Sequence, residues 1–358
     1  MQLRRMLGNC VLALASSLVA FVTLELAYRA WQGVPLLATE NYVLQSLDMV
    51  RQNSGALEFD PELGWRLREN LVSSGGGFTT GKFGLRMNAN TIVDPVQGGV
   101  LAVGDSFTAG SGVKDGETWP AQLEASTGLK VLNGASGAWG VDQMVLRAEK
   151  LTPLLKPKTL VVSVLAQDSL RNNYDIYGGG YKPYFTIENG KAVLRGQPVP
   201  RVEAQPMKLG WVRRIFGHSF LVHSTMLNLG LSQAWIDNRY RYRKIHEDKV
   251  GVQISCLLMD RLVELKSSHG VKVIVMVQYG AQEASDKTPP WYGPPVLECA
   301  AKRGLDVLDT HPPLHAVSVS DRSRFEALWL NEGGQLGHMS AQGNAFISKM
   351  LKEAFFVR

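Results

Sequence analysis

Three residue types in this chain could do covalent or metal chemistry: a serine at a strand-to-helix turn, seven histidines and three cysteines. The serine is Ser106, in Gly104-Asp105-Ser106-Phe107-Thr108-Ala109-Gly110, directly after Gly99-Val100-Leu101-Ala102-Val103. Apolar β-formers bounded by glycines read as a short buried strand, and the small residues that follow suit a helix start. A hydroxyl there stands at the C-terminal edge of a sheet, where open α/β folds hold their ligands. The helix start adds unpaired N–H groups and a positive dipole end, which suit a developing oxyanion. The same residues also read as an ordinary Asp/Ser helix cap, and the local sequence leaves both readings open. The histidines show no metal-ligand spacing. His311 and His315 are four apart, but Pro312 and Pro313 between them argue against a helix, so neither a metal nor a cofactor is expected. Cys256 and Cys299 either pair in an oxidising compartment or stay two separate buried thiols, while Cys10 falls inside an apolar run.

Elements able to position such a serine recur from Gly98 onward. Strand candidates are Val100–Val103, Lys130–Leu132, Thr159–Leu165, Val271–Gln278 and Leu305–Leu308. Between them lie helical patterns at Thr118–Ser126, Val141–Leu155, Val250–Ser268 and Pro295–Arg303. Apolar strands alternating with helices imply a parallel sheet covered on both faces. Right-handed crossovers then make it a three-layer, doubly wound α/β domain. A long stretch, about 172–249, breaks the rhythm with Gly178-Gly179-Gly180 and four prolines, and reads as an insertion suited to a lid or specificity surface. Residues 58–97 read as an irregular lead-in packed on the main domain. Some helical potential falls around Asn41–Gln52.

At 358 residues, 45% hydrophobic and 20% charged, the chain is a globular protein with ample length for a core. Of the net charge of +6, Arg4, Arg5 and Arg29 against Glu25 supply +2, leaving +4 on the rest. That surplus is too thin for a nucleic-acid surface, and a basic cluster such as Arg239–Lys244 reads as a solvated helix face. The N-terminus is different. Arg4 and Arg5 precede an apolar run from Met6 to Leu24, which at about 1.5 Å per residue nearly spans a hydrocarbon core of about 30 Å. Tyr28 and Trp31 follow at interface depth, and the arginines favour a cytoplasmic N-terminus. No small-x-small cleavage site closes the run, so an uncleaved single-pass signal-anchor is expected, with the remainder exported.

Four blocks in order resemble those of the SGNH, or GDSL, serine hydrolases. They are Gly104-Asp105-Ser106-Phe107, then Asn133-Gly134-Ala135-Ser136-Gly137, then Ala166-Gln167-Asp168-Ser169, then Gly337-His338-Met339-Ser340 ahead of a terminal helix. The lead-in motifs Leu63-Gly64-Trp65 and Gly84-Leu85-Arg86 look like those of a membrane-anchored bacterial branch. The resemblance implies a flavodoxin-like SGNH fold with an N-terminal transmembrane helix. It divides the chain into an anchor at 1–31, a linker at 32–57 and a hydrolase-like domain at 58–358. It also implies Ser106 as nucleophile and His338, on a loop, as the base that activates it and later protonates the leaving alcohol. The N–H groups of Ser106 and Gly137 would face the oxyanion, with the amide of Gln167 in place of the family's asparagine as third donor. Asp168 then reads as a loop cap.

The family's aspartate two or three residues before the histidine is replaced here by Gln335 and Leu336. Without a carboxylate the imidazole loses the partner that sets its tautomer and stabilises its cation. Glu332 can substitute if the Gly333-Gly334 turn folds it back, or Gln335 can merely orient the ring. Three functions stay open. One is an esterase or O-acyl transferase on the outer side of a bacterial inner membrane, acting on an acylated glycan or lipid. The second is a catalytically impaired binding module for glycan or protein, working with envelope-assembly partners. The third is a purely structural membrane-assembly subunit.

Overall fold

The computed structural model describes the chain except residues 1, 45–55, 74–76, 179, 202–208, 232, 238–241, 333 and 357–358. It contains two compact units: residues 1–54 with 203–242, and residues 55–202 with 243–358. The insertion read at 172–249 is thus shared between them.

In chain order, α1 (Gln2–Gln32) is followed by the hairpin of β1 (Leu57–Asp60) and β2 (Gly64–Leu67), then β3 (Val100–Gly104), α2 (Ser106–Ala109) and α3 (Trp119–Thr127). Next come β4 (Val131–Asn133), α4 (Val141–Leu155), β5 (Thr159–Leu165) and α5 (Asp168–Arg171). The insertion holds β6 (Tyr174–Tyr177), β7 (Gly180–Tyr181), β8 (Tyr184–Glu188), β9 (Lys191–Arg195), α6 (Trp211–Phe216), α7 (Phe220–Asn228) and β10 (Arg243–Lys244). The chain closes with α8 (Asp248–His269), β11 (Lys272–Gln278), α9 (Ala281–Ser285), α10 (Pro294–Lys302), β12 (Asp306–Asp309), α11 (His311–Ser320), α12 (Arg322–Ala327), β13 (Trp329–Glu332), β14 (Gln335–Met339) and α13 (Ala341–Leu351).

The larger unit is built on a five-stranded parallel sheet in the order β4-β3-β5-β11-β12. Every residue of β3 and β5 is buried, which is why both read as unbroken apolar runs and not as alternating ones. Right-handed crossovers place α4, α8 and α10 on one face, where they pack in that order, and α3 against α13 on the other. The fold is therefore three-layer and doubly wound, with its topological switch between β3 and β5. Cys256 on α8 and Cys299 on α10 are joined by a disulfide, their Cα atoms 5.3 Å apart, which decides between the two readings of these cysteines.

In the smaller unit α1 is long and apolar, with a mean hydropathy of 2.1 over an 18-residue window within Gly8–Gln32. Val43, Trp235 and Ile236 form its own small core. The helical potential read at 41–52 falls mostly outside the described residues. Three expectations are corrected. Arg243 and Lys244 of the basic cluster lie on strand β10, paired with β6, and not on a helix face. Pro312 and Pro313 do not prevent a helix; they occupy the first turn of α11, where a missing N–H costs nothing, so His311 and His315 do share a helix. Their rings stack 5.7 Å apart and each meets a backbone carbonyl, of Asp286 and Ser285 respectively. His338 lies not on a loop but on β14, in an antiparallel hairpin with β13.

Candidate active site

The turn at Ser106 resolves the two readings of its sequence by dividing the work. Asp105 takes the cap, one carboxylate oxygen accepting from the Phe107 N–H at 2.9 Å while the other lies 3.4 Å from Ser106 Oγ, so the serine is not the capping residue. Gly104 has to be glycine, since a Cβ would lie 2.3 Å from Thr108 Oγ1 and 2.7 Å from the Ser163 carbonyl. From the far end of α2, the buried Arg86 donates to the carbonyls of Ala109, Gly110 and Val113 at 2.7, 2.5 and 2.7 Å. Its Nε lies 3.2 Å from the Asp115 carboxylate. The short helix that carries Ser106 is held at both ends.

Ser106 Oγ lies 2.9 Å from His338 Nε2, and His338 Nδ1 lies 2.8 Å from Glu332 Oε1. A neutral imidazole satisfies both contacts as the Nδ1–H tautomer, donating to Glu332 and accepting from Ser106. The Phe107 ring packs on the imidazole with centroids 5.2 Å apart. Glu332 reaches His338 because β13 and β14 run antiparallel, with Gly334 at φ +88° and Glu332 paired with Gln335. The carboxylate then crosses the face of β14 above Gly337. A Cβ at Gly337 would lie 2.2 Å from Glu332 Oε2, so only glycine keeps that path open. Gln335 is exposed at the turn, and with both ring nitrogens taken by Ser106 and Glu332 it has none left to orient. Of the two candidates for the third position, the structure brings Glu332 and not Gln335 to the imidazole.

On the opposite side, Ser106 N–H belongs to the first turn of α2, where no carbonyl one turn back can receive it. Gly137 approaches closely: a Cβ there would lie 3.8 Å from Ser106 Cβ, an ordinary contact, so space alone does not require the glycine. Its carbonyl accepts from Trp65 Nε1 at 2.9 Å, and the Trp65 carbonyl accepts from Trp139 Nε1 at 3.0 Å. The lead-in hairpin thereby fixes the loop after β4. Gln167 follows β5, across the switch point from Ser106, but its amide nitrogen donates to Glu283 Oε1 at 3.2 Å. Glu283 also accepts from the Tyr292 hydroxyl, and burial together with that carboxylate holds the phenol above its ordinary pKa. These residues, with Gly280, Asp286 and Leu336, line a cavity of about 420 Å³ beside the His338 strand.

A buried charged layer lies beneath the nucleophile. Arg171 Nη1 lies 3.3 Å from Asp105, 2.6 Å from Asp168 and 2.9 Å from the Trp139 carbonyl. Asp168 also accepts from the Leu165 N–H at 2.7 Å, closing the end of β5 as a cap. Burial pushes the Asp168 carboxyl well above its ordinary value, against the pull of Arg171. For Arg171 burial opposes the charge, but Asp168 and Asp105 outweigh it and raise the pKa. Sequence reasoning missed Arg86, Arg171 and the steric need for Gly337. Arg171 carried a local signal, lying one helical turn after Asp168, and so did Gly337, directly before the histidine, whereas Arg86 carried none. Among the described residues no group of three His, Cys, Asp or Glu side chains could hold a metal ion.

The larger unit is thus a doubly wound α/β domain with a serine, a histidine and a glutamate in hydrogen-bonded series at its switch point. No family model matches the chain, and no curated protein does. Among solved structures it is similar to the acetylxylan esterase Axe2 from Geobacillus stearothermophilus, with 15% identity, 74% of this chain and 98% of that one covered, and a TM-score of 0.42. It is similar also to a lipolytic protein of the G-D-S-L family from Desulfitobacterium hafniense, at 14% identity, 71% and 97% coverage and a TM-score of 0.36. A lipase/acylhydrolase from Enterococcus faecalis matches at 13% identity, 72% and 94% coverage and a TM-score of 0.39.

Proposed function

We propose that this chain is a membrane-anchored serine esterase or O-acyl transferase of the SGNH kind, with Ser106, His338 and Glu332 as its catalytic triad. The observation that carries the reading is the unbroken series Ser106 Oγ to His338 Nε2 at 2.9 Å and His338 Nδ1 to Glu332 at 2.8 Å. A hydroxyl is a poor nucleophile until a base takes its proton, and the base works only in the right tautomer. His338 accepts the Ser106 proton as Oγ attacks an ester carbonyl, and Glu332 stabilises the imidazolium that forms. The N–H groups of Ser106 and Gly137 face the developing oxyanion, and a donor there is worth about 10²–10³ in rate. His338 then returns the proton to the leaving alcohol, giving an acyl-Ser106 ester. Water or a second hydroxyl attacks that ester to complete hydrolysis or transfer.

The Cys256–Cys299 disulfide and the long apolar α1 support an exported domain tethered at the outer face of a bacterial inner membrane. An acylated envelope glycan or glycolipid is the substrate class we favour. A second reading, an impaired binding module, is favoured by one observation: Gln167, the third oxyanion donor of the proposal, has its amide engaged by Glu283. An organophosphonate ester probe separates the two. The enzyme predicts labelling that disappears in Ser106→Ala, and a folded protein that takes no label refutes it. A reporter active only outside the cytoplasm, fused after residue 40, tests export; an inactive fusion overturns it.

A further inference from the structure

We infer that helices α6 and α7 form a second membrane contact, seated in the lipid headgroup boundary beside the point where α1 leaves the bilayer. The inference rests on the reading of α1 as a membrane anchor. Glu25 lies nineteen residues after Met6 on α1, a rise of about 28 Å, which places it where a hydrocarbon core of about 30 Å ends. Its carboxylate accepts from the N–H groups of Phe220 and Leu221 at 2.8 and 2.9 Å and from Ser219 Oγ at 2.6 Å, so it caps the start of α7. Arg29, one turn on, donates to Glu25 at 2.5 Å and to the carbonyls of Ala38 and His218 at 2.9 and 2.7 Å. Asn41 Nδ2 donates to the Arg213 carbonyl at 3.0 Å, and the Tyr42 N–H to that of Gly217 at 2.8 Å. These bonds clamp α6 and α7 to the C-terminal end of α1. They fix the depth of both helices once α1 is in a membrane.

What that clamp presents is apolar. Four of the six residues of α6 are exposed and apolar, Trp211 at 71%, Val212, Ile215 at 60% and Phe216. Leu229 is 66% exposed after α7, and Leu37 is 89% exposed on the segment after α1. Soluble surfaces scatter such residues singly. In the larger unit the exposed large apolar residues Val72, Leu129, Leu154, Trp291 and Val319 are far apart in sequence, and one run falls at Ile92, Val93 and Val96. Trp211 suits the headgroup level, and the exposed Arg214 beside it suits anionic lipid. A bilayer is therefore the occupant that accounts for depth, apolarity and charge together.

The test uses the full chain in vesicles of phosphatidylethanolamine and phosphatidylglycerol, with an environment-sensitive fluorophore on one cysteine at a time. Cys10 reports α1, Ile215→Cys in a Cys10→Ser background reports α6, and Val319→Cys in the same background reports the larger unit. Cys256 and Cys299 stay oxidised. Position 215 is expected to emit to the blue of position 319 and to resist iodide. It is also expected to be quenched more by a nitroxide near the headgroup than by one at the chain end, as a face about 5–10 Å into the boundary should be. Leu229→Cys gives a second site if Ile215→Cys does not fold. Water-like emission at 215 and 229 with Cys10 shielded overturns the inference, leaves the anchor standing and assigns the face to a protein partner. Water-like emission at all three overturns both.

Discussion

The sharpest consequence of the site concerns a residue with no chemistry of its own. A Cβ on Gly337 would lie 2.2 Å from Glu332 Oε2, 2.4 Å from its Cδ and 2.9 Å from its Cγ, so Gly337→Ala must drive the carboxylate off its path to His338. The fold should tolerate the change, because the atoms displaced belong to the end of a flexible, half-exposed side chain and Gly337 is not left-handed. Stability should stay within about 0.5 kcal/mol, as for most surface substitutions. Activity should not. Opposite unit charges 4 Å apart attract by about 1 kcal/mol in water and about 4 kcal/mol at an effective dielectric near 20. Glu332 is 45% exposed and His338 28%, so the imidazolium loses a contribution between those limits. At about 1.36 kcal/mol per decade that is a fall of about 5-fold to 10³-fold. It stays below the ~10⁴ known when a buried triad aspartate becomes an amide.

The assay is the second-order rate of Ser106 modification by an organophosphonate ester, which needs no knowledge of the substrate, together with thermal unfolding. Wild type, Gly337→Ala, Glu332→Ala and the double variant form a cycle. The two single variants should slow labelling by similar factors. The double should be no slower than Glu332→Ala, because with the carboxylate gone the alanine methyl has nothing to displace. Full labelling of Gly337→Ala would refute the reasoning, and so would multiplicative losses in the double variant.

Three further outcomes follow from the same structure. Arg86→Met leaves the Asp115 carboxylate buried without its cation and strips three carbonyls at the end of α2 of their donor, so unfolding should be easier by about 3–5 kcal/mol; an unchanged melting temperature counts against it. Replacing Cys256 and Cys299 by serine opens a loop of sequence separation 43 and should cost about 2–4 kcal/mol, read as the difference between oxidised wild type and the double variant in denaturant. Burial lowers the pKa of His223, which accepts from Trp235 Nε1 at 3.1 Å. The unfolded chain then takes up the proton more readily, so the smaller unit should lose stability as pH falls below about 6.5. A pH-independent melting curve, or one that keeps its slope in His223→Gln, would contradict this.

How much of this was legible in the sequence depends on how far each signal had to travel. The strands β3 and β5 announce themselves because both faces are buried, and α4 is read at its observed bounds, Val141–Leu155, from its apolar stripe. Pro312 and Pro313 misled because proline forbids a helix interior but favours its first turn, and only the fold says which position they hold. The partners of Arg86, and the hold of Glu283 on Gln167 across 116 residues, are set by tertiary contact and leave no local trace.

Glu332 stands between these cases. Its distance from His338 in sequence, six residues, says nothing until the antiparallel pairing of β13 with β14 makes the two strands neighbours. Yet Gly333, Gly334 and Gly337 were all in view. Two glycines suit a tight hairpin turn, and a glycine one residue before the histidine leaves room above the strand for a side chain from its partner. An acid two residues before the histidine needs only a short loop to reach the ring, whereas here the acid is delivered by the opposite strand. The support of His338 is then inseparable from the β13–β14 hairpin. Anything that slips its register by one residue turns Glu332 to the other face and leaves the imidazole without its partner.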